Sequence, residues 1–191
     1  MNPQHLATHQ DPAQAIDPSA IPDLVAQLGS GDARVRRRAR NDLVAVGPLA
    51  LSALTQALED RNPHVRSEAA RALGRIRDAV VADALVKRLE DDNLEVRWTA
   101  AEGLVALGRD GLVAILRAML QERASVRRRE GAHRVLRSLT DGDLGEIVRP
   151  VLAAIEGVEP ALTVPLAAHA ALHQLEGDEG HGQPPSQTGA R

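Results

Sequence analysis

Residues 54–73 recur 31 positions later. Leu54-Thr-Gln-Ala-Leu58-Glu-Asp-Arg-Asn-Pro-His-Val65-Arg66-Ser-Glu-Ala69-Ala70-Arg-Ala-Leu73 matches Leu85-Val-Lys-Arg-Leu89-Glu-Asp-Asp-Asn-Leu-Glu-Val96-Arg97-Trp-Thr-Ala100-Ala101-Glu-Gly-Leu104. A unit of this length with two apolar helical stripes cannot bury its hydrophobic face alone, so neighbouring units must stack. The predicted fold is all-α: a right-handed α-solenoid of about five helical hairpins. Such a fold displays surfaces, and any chemistry has to be argued from particular residues.

The hairpins can be placed in order. In residues 19–47, Ile21, Leu24, Val25 and Leu28 form a helical stripe that stops at Gly29-Ser-Gly31. Asp32 then opens a second helix with Val35, Ala39, Leu43 and Val46 on its buried face, and Gly47-Pro48 ends it. Residues 48–77 and 78–108 repeat the plan. Asp32, Asn62 and Asn93 each precede their valine by three positions as expected N-caps, and Pro63 takes a first helical position, where its missing N–H costs nothing. Past residue 109 the register slips. Val126-Arg127 looks like the next Val-Arg pair, but Ala132 and Leu136 come two residues late. Leu116/Leu152, Val126/Leu162, Ala132/Ala168, His133/His169 and Leu136/Leu172 are each 36 apart. Residues 110–139 and 144–176 are therefore read as a longer-period pair, with an expected change of curvature near residue 109. The proline-containing stretch 1–18 and residues 177–191, which end in a Gly-, Pro- and Ser-containing stretch, are predicted to be a disordered lead and tail.

Composition narrows the function classes. Cysteine is absent, which excludes disulfides, thiol catalysis and cysteine-ligated zinc. The start lacks the basic and apolar runs of a signal peptide, and no apolar run approaches the roughly 18–20 residues that span a bilayer, so a soluble cytoplasmic protein is expected. Trp98 is the only aromatic among Phe, Tyr and Trp, so the core must be aliphatic. Net charge is −3 but uneven, because residues 141–191 hold only Arg149 and Arg191 against eight acids. An acidic end and a single stacking residue argue against nucleic acid as the partner, since single-strand platforms use several aromatics.

The motif Leu-Glu-Asp-x-Asn-x-x-Val-Arg-x-x-Ala-Ala at 58–70 and 89–101 resembles the HEAT-like repeats of phycobilisome (bilin) lyase subunits and of many bacterial proteins. A weaker form runs from Leu28 to Ala39 and a degraded one lies at 120–132. The resemblance implies that the second helix of each repeat lines a concave face where partners bind. It also implies two further readings: a lyase-like subunit that holds a chromophore or its acceptor protein, and a nucleic-acid-contacting repeat protein. The related deoxyhypusine hydroxylases build a di-iron site from His-Glu pairs, but no His-Glu dipeptide occurs in this chain. No phosphate-binding glycine loop or serine-nucleophile elbow is present either. A non-catalytic scaffold without a cofactor is the expectation.

Candidate residues fall into three groups. Arg36, Arg66, Arg97 and Arg127 recur after their valines and are read as a structural ladder to carboxylates such as Asp60, Asp91 and Asp92, with a basic track as the other reading. Arg37, Arg38, Arg40, Arg71 and Trp98 are the predicted partner-binding surface, and their charge calls for a protein with an acidic segment. His169 and His173 lie at i, i+4 with Glu176 farther along the same helix, a spacing zinc can use. His169 repeats His133 and no fourth ligand is evident, which favours packing over metal.

Overall fold

The computed structural model describes residues 16–121 and 125–179, so most of the expected N-terminal lead and of the expected tail lies outside the described residues. Helices follow one another in pairs: α1 (Ile21–Gln27) and α2 (Ala33–Val46), α3 (Leu51–Ala57) and α4 (Pro63–Ile76), α5 (Ala82–Arg88) and α6 (Leu94–Ala106). Then come α7 (Arg109–Met119) and α8 (Val126–Leu139), and finally α9 (Gly145–Glu156) and α10 (Pro160–Glu179). Among the described residues there is no strand. The fold is an all-α solenoid.

Each second helix starts where the sequence places its cap. The Asp32 carboxylate accepts from the Arg34 amide at 2.8 Å, and the Asn62 side chain from the His64 amide at 3.0 Å. Asn93 accepts from the amides of Glu95 and Val96, and Ser125 opens α8 by accepting from the Arg128 amide at 3.1 Å. Each cap satisfies an N–H that the helix itself leaves without a partner, a gain of typically about 1 kcal/mol. The opposite ends differ. Gly47 and Gly108 close their repeats at φ +70° and +60°, and Arg77 holds the matching place at φ 60°, ψ 41°. That left-handed conformation costs a non-glycine residue on the order of 1 kcal/mol. Arg77→Gly is therefore expected to stabilise the chain by about 1 kcal/mol, read as a higher urea midpoint with an unchanged slope.

The core runs through the whole array. Leu28, Leu43, Leu54, Leu58, Leu73, Leu85, Leu89, Leu104, Ile115, Leu116 and Leu136 are fully buried, with alanines between them. Small residues let the helices approach closely, which suits a core without aromatic rings. The second helices α2, α4, α6 and α8 pack one on the next. At the α4–α6 junction a Cβ on Gly74 would stand 2.7 Å from the Gly103 Cα.

The last hairpin stacks the other way round. α9 lies against α8, the preceding second helix, and α10 lies against α7, the preceding first helix. Arg109 at the start of α7 donates to the Leu175 carbonyl of α10, and His133 of α8 meets Glu156 of α9 at 2.8 Å. The 36-residue spacing still marks equivalent burial, since Ala132 and Ala168 are both enclosed, as are Leu136 and Leu172. It also pairs Val126 with Leu162, and both are exposed where Val65 and Val96 are buried. The irregularity past residue 109 thus accompanies a reversal of helix order.

Candidate functional site

The arginine ladder exists, but its main partners are backbone carbonyls. Arg36 donates to the carbonyls of Ser30 and Gly31 at 2.7 and 3.1 Å. Arg66 donates to Asp60 and Arg61 at 2.8 and 3.2 Å, and Arg97 to Asp91 and Asp92 at 2.8 and 3.1 Å. In each repeat the guanidinium folds back over the turn and satisfies carbonyls that no helix uses. Arg127 departs from the pattern and pairs with the Asp92 carboxylate of the preceding repeat at 2.7 Å.

Asp91 is the junction of this network. Its carboxylate takes two hydrogen bonds from Arg66, at 2.8 and 2.7 Å, and one from the Asn93 amide at 2.9 Å. Arg88 stands 3.7 Å away and also donates to the Leu58 carbonyl at 3.0 Å. Burial, the largest single influence, pushes the Asp91 carboxyl up. The hydrogen bonds from Arg66 and Asn93 and the charges of Arg66 and Arg88 together outweigh burial and hold it below its ordinary value. Glu90 is held low as well, by the Ser125 hydroxyl first and the Arg128 guanidinium second. Carboxyls whose folded pKa lies below their unfolded values of about 4 stabilise fully above those values, and the contribution is lost as pH falls through the folded pKa. Unfolding free energy is therefore expected to be level from about pH 7 to 5 and to drop below about pH 4, less steeply in Asp91→Asn. Urea titrations across that range measure it.

The predicted partner surface divides in two. Arg40 is a correction: its side chain is only 15 % exposed and pairs with Glu68 at 2.6 Å, with Arg36 also 4.0 Å from Glu68. It shares a helix face with Arg36 at i, i+4, and that face is turned toward α4. Arg71 is half-buried and reaches Glu95 at 3.3 Å. Trp98 is 46 % exposed, with the Arg134 guanidinium 4.0 Å above its ring. These contacts join neighbouring second helices, as does the 2.6 Å bond from Arg75 to Asn41. Arg34 and Arg37 are exposed and carry no ion pair among the described residues, and Arg38 is 85 % exposed with Asp42 3.9 Å away.

His169, His173 and Glu176 lie exposed on α10, and among the described residues no group of three or more His, Asp or Glu side chains could hold a metal ion. The recurrence of histidine at 133 and 169 does not reflect a shared role, since His133 bridges two helices and His169 faces solvent. Among the described residues no helix is long and apolar enough to cross a membrane.

Sequence reasoning missed a groove between α8 and the α9–α10 turn. Its lining includes the apolar Met119, Leu120, Val126, Ile155 and Val164 and the charged Arg129, Arg134, Arg137 and Glu130. Leu120 is 37 % and Val126 61 % exposed. The signal was the two-residue slip after Val126, which turns this valine out of the place its counterparts fill.

A family model for HEAT repeats matches the chain over residues 21–95 and again over 51–137. Among solved structures, the chain is similar to one in the complex of CpcE and CpcF of phycocyanin lyase from Nostoc sp. PCC7120. Identity is 25%, the TM-score is 0.57, and the match covers 82% of this chain and 99% of that one. It is also similar to an engineered protein at 21% identity and a TM-score of 0.41, over 81% of this chain and 78% of the other. No curated protein matches.

Proposed function

The chain belongs to the HEAT-repeat family, and from that premise we propose that it acts as a non-catalytic scaffold that binds a protein partner on its row of second helices. The observation that carries this reading is the division among the arginines. Arg36, Arg40, Arg66, Arg71, Arg88 and Arg128 are committed to carbonyls and carboxylates of the array. Arg34, Arg37 and Arg38 stay exposed in the first turns of α2, where the helix dipole disfavours positive charge. Apart from the 3.9 Å approach of Arg38 to Asp42 they make no ion pair among the described residues, and a partner with an acidic segment gives them a use. Preordered side chains on a rigid array also reduce the ordering cost of binding.

Arg37→Glu/Arg38→Glu is expected to leave stability within about 0.5 kcal/mol of wild type and to lose the partner in a pull-down from native lysate. Arg40→Glu, by contrast, is expected to destabilise the fold. Capture that disappears on nuclease treatment would replace the protein partner with nucleic acid, and steep salt dependence would accompany it.

A second reading is favoured by the likeness to phycocyanin lyase, whose matched chain is covered almost end to end. The protein would then be one subunit of a lyase-related complex of repeat proteins, holding a chromophore or the protein that accepts it. A bound tetrapyrrole absorbance on the purified protein supports that reading, and capture of a partner without any visible band supports the plain scaffold.

A further inference from the structure

The groove at α8 has a chemistry of its own, distinct from the α2 face. In the second and third repeats the valine at the start of the second helix is enclosed, with Val65 5 % and Val96 0 % exposed, and in the first Val35 is partly buried. α8 is set so that Arg127 reaches Asp92 and Arg128 reaches Glu90, at 2.7 and 2.6 Å. Val126 then faces the groove, next to the exposed Leu120. Met119, Ile155 and Val164 add to its apolar lining.

The lining carries a positive excess, three arginines against two carboxylates. Arg129, Arg134 and Arg137 have no ion pair among the described residues, and Arg134 is held in place by stacking on Trp98. The lining carboxylates are Glu130 and Glu156, and Glu156 lies 2.8 Å from the His133 ring nitrogen. From Arg129 to Arg137 the helix rises about 12 Å, two turns. A groove lined by apolar residues and by arginines over two turns is complementary to a helix with an apolar stripe and carboxylates one turn apart on its flank.

We propose that this groove docks an acidic amphipathic helix of a partner protein, its apolar side chains on the apolar lining and its carboxylates against Arg129, Arg134 and Arg137. The proposal rests on the scaffold reading but uses a face remote in sequence from Arg37 and Arg38, so each can fail without the other.

The probe is a helical peptide of about four turns, with Leu at i, i+3 and i+7 and Glu along one flank, beside the same peptide with Lys in place of Glu. Binding is followed by peptide anisotropy and by the emission of Trp98, the single tryptophan, whose stacking partner borders the groove. The Glu peptide is expected to bind saturably and shift Trp98 emission, while the Lys peptide does not bind. Arg129→Glu/Arg137→Glu and, separately, Val126→Asp are expected to weaken binding by at least about tenfold. All these positions are exposed, so circular dichroism should be unchanged. Arg37→Glu/Arg38→Glu should bind the peptide like wild type.

Equal binding of both peptides, no binding of either, or full binding by the groove variants overturns the proposal. So does a doubled mass of the free protein that Val126→Asp returns to monomer, since a second copy would then be the occupant. Binding of biliverdin that is lost in the groove variants, with no peptide binding, would assign the groove to a small dicarboxylate instead.

Discussion

Asp91→Ala is expected to lose about 3–5 kcal/mol of unfolding free energy. The carboxylate side chain is only 4 % exposed and Arg66 14 %, so the pair is out of water on both sides. Removing the acid leaves the Arg66 guanidinium without its carboxylate partner in a largely buried site, beside Arg88, which keeps only Glu59 at 3.0 Å. It also removes the acceptor for the Asn93 amide, which helps set the turn that α6 grows from. A loss of that size is a large part of the 5–15 kcal/mol that stabilises a typical domain. Asp91→Asn should cost less, because it keeps an acceptor for Asn93 and for one Arg66 N–H. Arg66→Met/Asp91→Leu should recover part of the loss, since no charge is then left unpaired, but not all of it. Arg66 also donates to the Asp60 and Arg61 carbonyls, and those bonds have no replacement. Urea unfolding of the single and double variants measures the coupling. A loss under about 1 kcal/mol for Asp91→Ala would mean the junction is as weak as an exposed ion pair.

This network shows where the sequence is readable. The 31-residue recurrence carries the helices, the caps and the core leucines, because each follows from local periodicity and from cap chemistry three residues before a valine. That Arg66 and Arg97 are structural was also legible, since a residue repeating with the fold is serving the fold. The carboxylates were legible in part, since Arg66 meets Asp91 and Arg127 meets Asp92, but the carbonyl partners were not, because a backbone carbonyl has no signature in sequence. The sorting of α2's arginines was within reach. Arg36 and Arg40 are one turn apart on the face that meets Glu68, while Arg37 and Arg38 point elsewhere. Helical phase separates Arg40 from Arg37 and Arg38. The reversed last hairpin lay beyond periodicity altogether. A 36-residue spacing fixes which side chains are apolar, but not which neighbouring helix they meet, and both rows offer aliphatic surface. The groove lies where that reversal begins, and its trace in the sequence is the two-residue lateness of Ala132 and Leu136 after Val126.

The second large effect is expected at the closest helix contact. A Cβ added to Gly74 would lie 2.7 Å from the Gly103 Cα, and one on Gly103 would lie 3.0 Å from Leu85 Cδ1 and 3.4 Å from the Ala70 carbonyl oxygen. On the Gly74 side the obstruction is backbone, which cannot rotate away as a side-chain tip can. Gly74→Ala must push α4 and α6 apart by several tenths of an ångström, and Gly74→Leu must open the junction and loosen the packing of Ala70, Leu73, Ala100 and Leu104. Overpacking a tight core costs about 1–3 kcal/mol and more where the backbone has to move, so about 3 kcal/mol or more is expected for Gly74→Leu. The intrinsic helical preference for alanine, up to about 1 kcal/mol, acts in the opposite direction and makes Gly74→Ala the smaller loss. Gly177→Ala is the control, because nothing lies within 4 Å of its added methyl, and it should be neutral or slightly stabilising. Thermal and urea unfolding of the three variants separates the terms. If Gly74→Leu is as stable as Gly177→Ala, α4 and α6 do not meet at backbone distance, and the close packing of the second-helix row is wrong at its centre. If it is destabilised yet folded, the wedge should also change the spacing between Arg71 and Glu95 across that junction. The exposed side chains of the second-helix row would then shift with the core, so that a buried substitution reaches the face proposed to bind a partner.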